Sequence, residues 1–335
     1  MEKYTNFMKL LVTGGLGFIG SNFILEVLEN NSDIEITNVD AELQGSNKMN
    51  LSSITNNQKY KFVKGNITNK KLMEKLILKN EIIVNFAAES FVDRSISNAK
   101  PFLDSNVNGV FTILEIIKKL KKKLIHISTD EVFGSLKNKS ANEEYKFNPS
   151  SPYSATKASS ELLINSYRLT YDCDCMITRC TNNYGPKQFH EKLIPKVIYL
   201  ASQNKKIPVY GNGKNIRDWI YVKDHCKAIF EVLKKGKSGE SYNISSNYEL
   251  NNITIIKKIL EIMDKKTDLI EFVEDRPGHD FRYSLDSSKI SKQIGWKNET
   301  SFEEGINKTI KWYEENIKLH TNIPNSVLGN TPWKN

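Results

Sequence analysis

Thr13–Gly20 reads TGGLGFIG. It follows the apolar run Lys9–Thr13 (KLLVT) and opens a helical stretch, Phe18–Glu29. Gly14, Gly17 and Gly20 form GxxGxxG, and Gly15, Gly17 and Gly20 also satisfy GxGxxG. Between a strand and a helix each glycine has a task. One makes the tight turn, one lets the backbone approach a pyrophosphate, and one lets the helix pack on the strand. The first N–H groups of the helix then face the phosphates. The same pattern also occurs in plain glycine turns, so the next strand matters. Ile34–Val39 (IEITNV) ends at Asp40, 20 residues after Gly20. A carboxylate at that spacing suits the adenosine ribose hydroxyls and repels a 2′-phosphate. The spacing predicts NAD rather than NADP. Taken alone, Asp40 also reads as a strand-end turn residue.

Outward from this turn, short β-branched runs alternate with helical stretches. Tyr60–Val63, Glu81–Phe86 (EIIVNF) and Leu124–Ser128 (LIHIS) read as strands three to five. This alternation predicts an α/β fold of the Rossmann type, a doubly wound parallel sheet with helices on both faces. Within Pro101–Leu120, Leu103, Val107, Val110, Leu114 and Ile117 step by four, three, four and three. That spacing predicts one apolar face of a long helix, serving as core and in part as a dimer face.

From about Asn182, Gly, Pro and Asn punctuate the chain (NNYGP, PVYGNGKN, DRPGHD), with helical stretches near Leu193–Gln203, Lys223–Lys235, Ile253–Met263 and Phe302–Asn316. The expected division is an NAD-binding Rossmann domain with the catalytic residues over 8–181. A smaller substrate-binding lobe follows over 182–320, with some segments returning to the first domain. The first seven residues and the tail after about Leu319 lack clear periodicity.

Composition narrows the class. The 335 residues are 39% hydrophobic and 26% charged, ordinary for a globular protein. No apolar run reaches the roughly 18–20 residues of a membrane span. The start, MEKYTNFMKLLVTGG, shows no secretory pattern. The four cysteines, Cys173, Cys175, Cys180 and Cys226, form neither a CxxC pair nor a zinc-like cluster. These features predict a cytoplasmic protein with reduced thiols, no metal and no membrane contact. The net charge of +9 comes from lysines scattered among acids. The one tight run, Lys118, Lys119, Lys121, Lys122 and Lys123, ends a helix, where cations complement the dipole. No nucleic-acid partner is expected, while excess positive charge helps attract an anionic substrate.

Chemistry enters after strand five, at Ser128-Thr129-Asp130-Glu131. Tyr153 follows 22 residues beyond Glu131, and Lys157 lies one helical turn later in SPYSATKASSELL. A tyrosine is a poor base at neutral pH. An ammonium beside it, with the positive nicotinamide near, lowers its pKa so that it takes a hydroxyl proton as hydride leaves. The adjacent carboxyls Asp130 and Glu131 sit where doubly wound sheets place active sites. Two carboxyls divide acid and base work when their surroundings push their pKa values apart. A simple alcohol dehydrogenase or epimerase needs no such pair.

At these residues the chain resembles the extended short-chain dehydrogenase/reductase superfamily and, within it, the dTDP-glucose 4,6-dehydratases. The resemblance runs from about Met8 to Trp312. It is carried by TGGLGFIGS, NFAAESFVDRSI, STDEVFG, PSSPYSATKASSE, TRCTNNYGPKQFHEKLIP, PVYGNGKNIRDWIYVKDH and EDRPGHDFRYSLD. It implies that Thr129 bonds the sugar C4 oxygen, that Tyr153 is the base starting oxidation, and that Lys157 tunes it. Asp130 would protonate the departing C6 hydroxyl, and Glu131 would remove the C5 proton. It implies NAD contacts at Gly14, Gly17, Phe18, Ile19, Gly20, Asp40, Asn66, Ile67, Ala87, Ala88, Ser105, Tyr153, Lys157 and Asn183. The nucleotide-diphosphate hexose would meet Ser90, Thr129, Asn182, Lys192, Leu193, Pro208, Val209, Tyr210, Arg217, Asn252, Arg276 and His279. A homodimer is implied as well.

The sequence departs from the family pattern at Ala41–Ser46 and at Asn66, which bear on the adenosine contacts. Phe91 and His190 replace a usual His and Pro, with an expected effect on the sugar or base pocket. The alternatives are a UDP-glucose 4,6-dehydratase, a nucleotide-sugar 4-epimerase and, from another class, a non-catalytic dinucleotide-binding scaffold.

Overall fold

Near-continuous buried strands separated by amphipathic helices cover both faces of one sheet. The computed structural model describes residues 8–316, 323, 328, 329 and 332–334. Residues 1–7 and most of the tail after Leu319, noted above for lacking periodicity, lie outside the described residues. The first half runs β1 (Met8–Thr13), α1 (Phe18–Asn30), β2 (Ile34–Asp40), β3 (Tyr60–Lys64), α2 (Lys70–Lys79), β4 (Ile82–Asn85), α3 (Val92–Ser97), α4 (Lys100–Phe102), α5 (Gly109–Leu120), β5 (Lys123–Thr129), α6 (Pro152–Tyr171) and β6 (Cys175–Cys180). The remainder runs β7 (Asn182–Tyr184), α7 (Leu193–Ser202), β8 (Ile207–Tyr210), β9 (Ile216–Tyr221), α8 (Val222–Lys235), β10 (Ser241–Ile244), β11 (Glu249–Asn251), α9 (Asn252–Ile262), β12 (Ile270–Val273), α10 (Ser288–Ile294) and α11 (Phe302–Glu315).

Seven strands form the large sheet in the order β3-β2-β1-β4-β5-β6-β10. Every neighbouring pair is parallel. This is the doubly wound Rossmann-type sheet. Its order reverses between β1 and β4, so a crevice opens at the C-terminal ends of those strands. After residue 182 the chain re-enters this sheet through β10, which pairs with β6. Two small sheets, β11-β9-β7 and β12-β8, complete the fold.

One face of the sheet buries Phe23 and Ile24 of α1 together with Ile229 and Val232 of α8. The other buries Met73 and Ile77 of α2, Ile113 and Leu114 of α5, and Ile164 of α6. A separate core joins α7, α9 and α11 through Val197, Ile198, Ile255, Ile259, Ile306 and Ile310. Each such side chain contributes about 1.5–3 kcal/mol of burial.

Two helices show how local sequence sets their ends. α6 starts on a capping box: the Ser151 hydroxyl accepts from the Ser154 N–H, and Ser154 caps in return. Pro152 stands at its first position, where no N–H is needed. α5 stops at Lys121, which takes a left-handed φ of 51°.

The long helix corrects one expectation. Leu103–Asn108 is a π-helical segment between α4 and α5. Its extra residue per turn rotates Leu103 out of the apolar stripe. Leu103 is exposed, while Val110, Leu114 and Ile117 are buried as the spacing predicts.

Candidate active site

The glycine turn is built by close approach. Gly14 has φ +70°, and a Cβ there would stand 2.6 Å from the Ala87 nitrogen. At Gly20 it would stand 2.5 Å from the Gly14 oxygen, and at Gly15 2.3 Å from Asn38 Oδ1. Gly17 differs: an added Cβ would meet only the Gly14 oxygen, at 3.3 Å. The space over Gly17 is open, and no side chain caps α1 there. Gly14, Gly17, Phe18, Ile19 and Gly20 line one cavity, so the start of α1 faces it. This open cradle fits a dinucleotide pyrophosphate.

Asp40 lines the same cavity and is nearly buried. Its Oδ2 accepts from the Leu16 N–H at 3.0 Å. Its Oδ1 accepts from the Glu42 N–H at 2.8 Å and from the Ser46 hydroxyl at 2.9 Å. A carboxylate offers about four acceptor sites, so one remains for a ribose hydroxyl. Asp40 is thus both a strand-end turn residue and a cavity residue. Asn66 is exposed at the rim and closes its own turn on Thr68, while Ile67 is buried against Gly109. Ala87, Ala88, Ser105 and Asn183 complete the lining expected for NAD.

Thr129 ends β5 and caps the short turn Asp130–Phe133 by accepting from the Glu131 N–H. Its hydroxyl donates to Asp130 Oδ1 at 3.0 Å. Asp130 Oδ2 is buried with no partner among the described residues. Burial, and next the neighbouring Glu131, push the Asp130 carboxyl well above its ordinary range. That shift favours the protonated form of Asp130, whose Oδ2 is the free oxygen. Burial also raises Glu131, but Arg276, Lys192 and Arg217 work against that shift. The two carboxyls are driven apart in the sense that acid and base roles require.

Tyr153 and Lys157 come from the first two turns of α6, and both line the cavity. Their electrostatics differ from the sequence expectation. Burial and the nearby Glu131 push the Tyr153 phenol up, not down. Lys157 donates to the Ile127 carbonyl at 2.7 Å and contacts His126 Nε2 at 3.2 Å. Burial lowers the lysine to about 8, against the pull of Glu161 and Cys180. The protein alone does not supply enough positive charge to make Tyr153 acidic.

Ser90, Asn182 and Lys192 line the same cavity, and Lys192 donates to the Ser90 carbonyl at 2.8 Å. Leu193, Pro208, Val209, Tyr210, Arg217, Asn252, Arg276 and His279 stand outside that lining. Several of them form a second ring. Asp93 accepts from the Tyr210 hydroxyl at 3.0 Å and from Arg276 at 2.8 Å. Arg217 packs over the Tyr283 ring at 4.3 Å and donates to the carbonyls of Asp280 and Phe281. His279 pairs with Asp275 at 2.6 Å. Pro208 and Val209 are buried in β8, and Leu193 and Asn252 start α7 and α9.

Sequence reasoning missed Tyr283. Its hydroxyl lies 3.5 Å from Glu131 Oε2 and donates to Asp280 at 2.6 Å. It lies inside the quoted DRPGHDFRY stretch, but no spacing rule pairs residues 152 apart. Of the two substitutions expected to alter the pocket, Phe91 lines it, under the Arg94 guanidinium at 4.5 Å. His190 does not. It is buried between the rings of Tyr199 and Tyr313. Among the described residues no cluster of His, Cys, Asp and Glu could hold a metal. All four cysteines are free, and among the described residues no helix is long and apolar enough to cross a membrane.

Comparison with known proteins places this geometry. The profile of the GDP-mannose 4,6 dehydratase family matches residues 11–309. A low-salt glycan biosynthesis protein of Haloferax volcanii is 46% identical, covering 91% of this chain and 98% of its own. A dTDP-glucose 4,6-dehydratase of Escherichia coli is 42% identical over 92% of this chain and 94% of its own. The crystal structure of the dTDP-glucose 4,6-dehydratase DesIV of Streptomyces venezuelae, with NAD bound, superposes with a TM-score of 0.91. That match has 40% identity and covers 93% of this chain and 98% of the other.

Proposed function

The chain belongs to the GDP-mannose 4,6 dehydratase family, and on that premise we propose that it is an NAD-dependent dTDP-glucose 4,6-dehydratase, converting dTDP-glucose to dTDP-4-keto-6-deoxyglucose. The observation that carries this reading is the Asp130–Glu131 pair at the end of β5. Burial and its neighbour push the Asp130 carboxyl well up and leave it one free oxygen, while Arg276, Lys192 and Arg217 oppose the smaller rise at Glu131. A 4-epimerase has no use for that division, and neither has a binding scaffold.

Bound NAD supplies the acceptor that takes hydride from C4 and returns it to C6, and its positive ring adds the charge that Tyr153 lacks. Thr129 holds the C4 oxygen, and Tyr153 accepts the C4 hydroxyl proton beside the Lys157 ammonium. The C4 ketone acidifies C5–H, which Glu131 removes. Asp130 gives its proton to the C6 hydroxyl, which leaves as water. A proton then returns to C5. The net change is loss of one water, with the cofactor unchanged. Arg217, Arg276 and Lys192 serve the diphosphate, for which a guanidinium fork is suited. Residues 8–181 carry cofactor and chemistry in this reading, and 182–320 mainly the substrate.

The active unit we propose is a homodimer in the cytoplasm. Leu103 and Phe111 on the π-helical segment and α5, and Leu162 and Leu169 on α6, are exposed apolar side chains on adjacent helices. A second copy of the same helices would cover them. Light scattering of Leu162→Lys/Leu169→Lys should give a monomer.

Isotope labelling tests the reaction itself. Turnover in heavy water should place deuterium at C5, and hydrogen from C4 should reappear at C6. A product hexose with its C6 oxygen intact and no deuterium at C5 would overturn the dehydratase in favour of the epimerase.

A further inference from the structure

Behind Glu131 lies a hydrogen-bonded row that the reaction steps do not use. Glu131 lines the cavity, whereas Tyr283, Asp280 and Ser150 stand outside that lining. The Tyr283 hydroxyl is 3.5 Å from Glu131 Oε2 and 2.6 Å from Asp280 Oδ2. The same Asp280 oxygen accepts from the Ser150 hydroxyl. Tyr283 and Asp280 are buried, and Ser150 is exposed. The row therefore leads from the cavity wall to solvent. Its middle is anchored to β9 and the residue before it. The Tyr283 N–H donates to the Ile216 carbonyl at 3.3 Å. Arg217 packs over the Tyr283 ring and donates to the Asp280 carbonyl at 2.9 Å, and Asn215 donates to that carbonyl at 3.2 Å.

Hydroxyl chemistry sets the direction of this row. A phenol carries one proton and can also accept one. The shorter contact takes that proton, so Tyr283 donates to Asp280 and leaves a lone pair facing Glu131. While Glu131 is ionised, no proton stands between those two oxygens, which fits their wider spacing. A Glu131 that has just taken a proton becomes a donor, and the Tyr283 oxygen is the acceptor in front of it. Burial, and next Glu131, push the Tyr283 phenol well up. It therefore does not rest as phenolate and passes a proton on only as it receives another.

We propose that Tyr283, Asp280 and Ser150 form a proton-exchange route between Glu131 and solvent, one that stays open while the sugar fills the cavity. The proposal rests on the dehydratase reading, in which Glu131 takes the proton from C5. The Glu131 O–H bond breaks as its proton bonds to the Tyr283 oxygen, and the phenol proton passes to Asp280 Oδ2. Asp280 then gives a proton to the Ser150 oxygen as the Ser150 hydroxyl proton leaves to water. The same steps in reverse bring a solvent proton to Glu131, which returns it to C5. Over the round trip one proton leaves and one enters, and each of the four groups ends as it began. With the hexose against Glu131 on the cavity side, this row decides whether C5 regains its own proton or one from water.

The isotope content of the product tests this. The holoenzyme is given dTDP-glucose in heavy water, and the product is reduced with borohydride as it forms, so that the 4-ketone does not exchange C5 by itself. NMR of the wild-type product should show deuterium at C5 in nearly every 6-deoxyhexose. Tyr283→Phe removes the oxygen that receives the Glu131 proton, and its product should keep mostly protium at C5. Asp280→Asn still offers Tyr283 an acceptor oxygen, but an amide takes up no proton, so the same retention is expected. Slower turnover gives more time for exchange and raises deuterium, so general damage to the site cannot mimic retention. Full deuteration of C5 by either folded, active variant would overturn the route, because Glu131 would then exchange through the cavity. If one variant does not fold, the other decides. A wild-type 6-deoxyhexose with protium at C5 would also overturn the route while leaving the dehydratase reading in place. A wild-type enzyme that forms no 6-deoxyhexose would overturn that reading and the route with it.

Discussion

At the end of β5, Thr129, Asp130, Tyr153 and Lys157 are all buried, and Lys157 is committed to partners inside the protein. In the ring around Asp93, Arg276 and Tyr210 are half-buried and share a single carboxylate. The first region shifts pKa values because water is excluded and charge has nowhere to go. The second keeps its cations in pairs that a diphosphate can replace without leaving a carboxylate stranded in the core. The sheet edge is therefore suited to proton transfer, and the lobe ring to exchangeable binding. Substitutions in the two regions should fail in different ways.

The largest effect should come from the sheet edge. Tyr153→Phe removes the acceptor of the C4 proton and should slow oxidation by about 10²–10⁴-fold. Glu131→Gln should spare oxidation and block the next step, so reduced nicotinamide should accumulate on the enzyme after substrate is added. Rapid-mixing absorbance distinguishes the two. Equal loss of oxidation in both variants would remove the division of labour between the base at C4 and the base at C5.

Behind the same edge, Arg179 and Glu161 form a buried ion pair at 2.6 Å, to which Ser128 adds a hydroxyl on Glu161. Arg179→Met would leave Glu161 charged and unpaired. The expected cost is about 3–5 kcal/mol of stability in urea denaturation. Arg276→Met in the lobe ring should cost much less stability, because Asp93 is nearer to solvent and keeps Tyr210. If the two variants unfolded at the same urea concentration, the edge would be no more locked than the ring.

What was legible in the sequence follows the same line. TGGLGFIG, Asp40 at the next strand end, and Tyr153 one turn before Lys157 are local patterns, and each reaches the cavity by its own strand or helix. The alternation of strands and helices in the first half and the helices α7, α8, α9 and α11 of the lobe followed from periodicity alone, whereas the strand order did not. The row from Glu131 through Tyr283 and Asp280 to Ser150 was not legible, because its contacts join residues 152 and 130 apart in the chain. Nor was the π-helical segment that turns Leu103 outward, since an inserted residue leaves no mark in a four–three spacing. In the lobe, Arg217 spends its donors on peptide carbonyls, and no residue pattern announces a carbonyl. Resemblance reached Pro208 and Val209, yet both are buried in β8 outside the cavity lining.

A further contrast lies in the kinetics. Arg276→Met removes a charge-assisted donor from a site that binds ground state and transition state alike. It should raise KM by on the order of ten- to a hundred-fold with kcat little changed. Steady-state assays over a range of dTDP-glucose concentrations read both constants. A loss confined to kcat would place Arg276 with the chemistry of Glu131, to whose charge it is already close enough to matter.

The smallest effect concerns the base. Thymine differs from uracil by one methyl group, and burying a methyl is worth about 0.8 kcal/mol. The preference for dTDP-glucose over UDP-glucose should therefore be only several-fold in kcat/KM. Its location matters more than its size. No atom of the base takes part in the proton transfers assigned to Tyr153, Glu131 and Asp130, and those residues are held by β5 and α6 rather than by the lobe. The discrimination should thus appear in KM, with equal kcat for the two nucleotides. Single-turnover oxidation at saturating sugar should proceed at one rate for both. A several-fold difference in that rate would mean that base contacts in the lobe reach the sheet edge, and the two regions would then be coupled rather than separate.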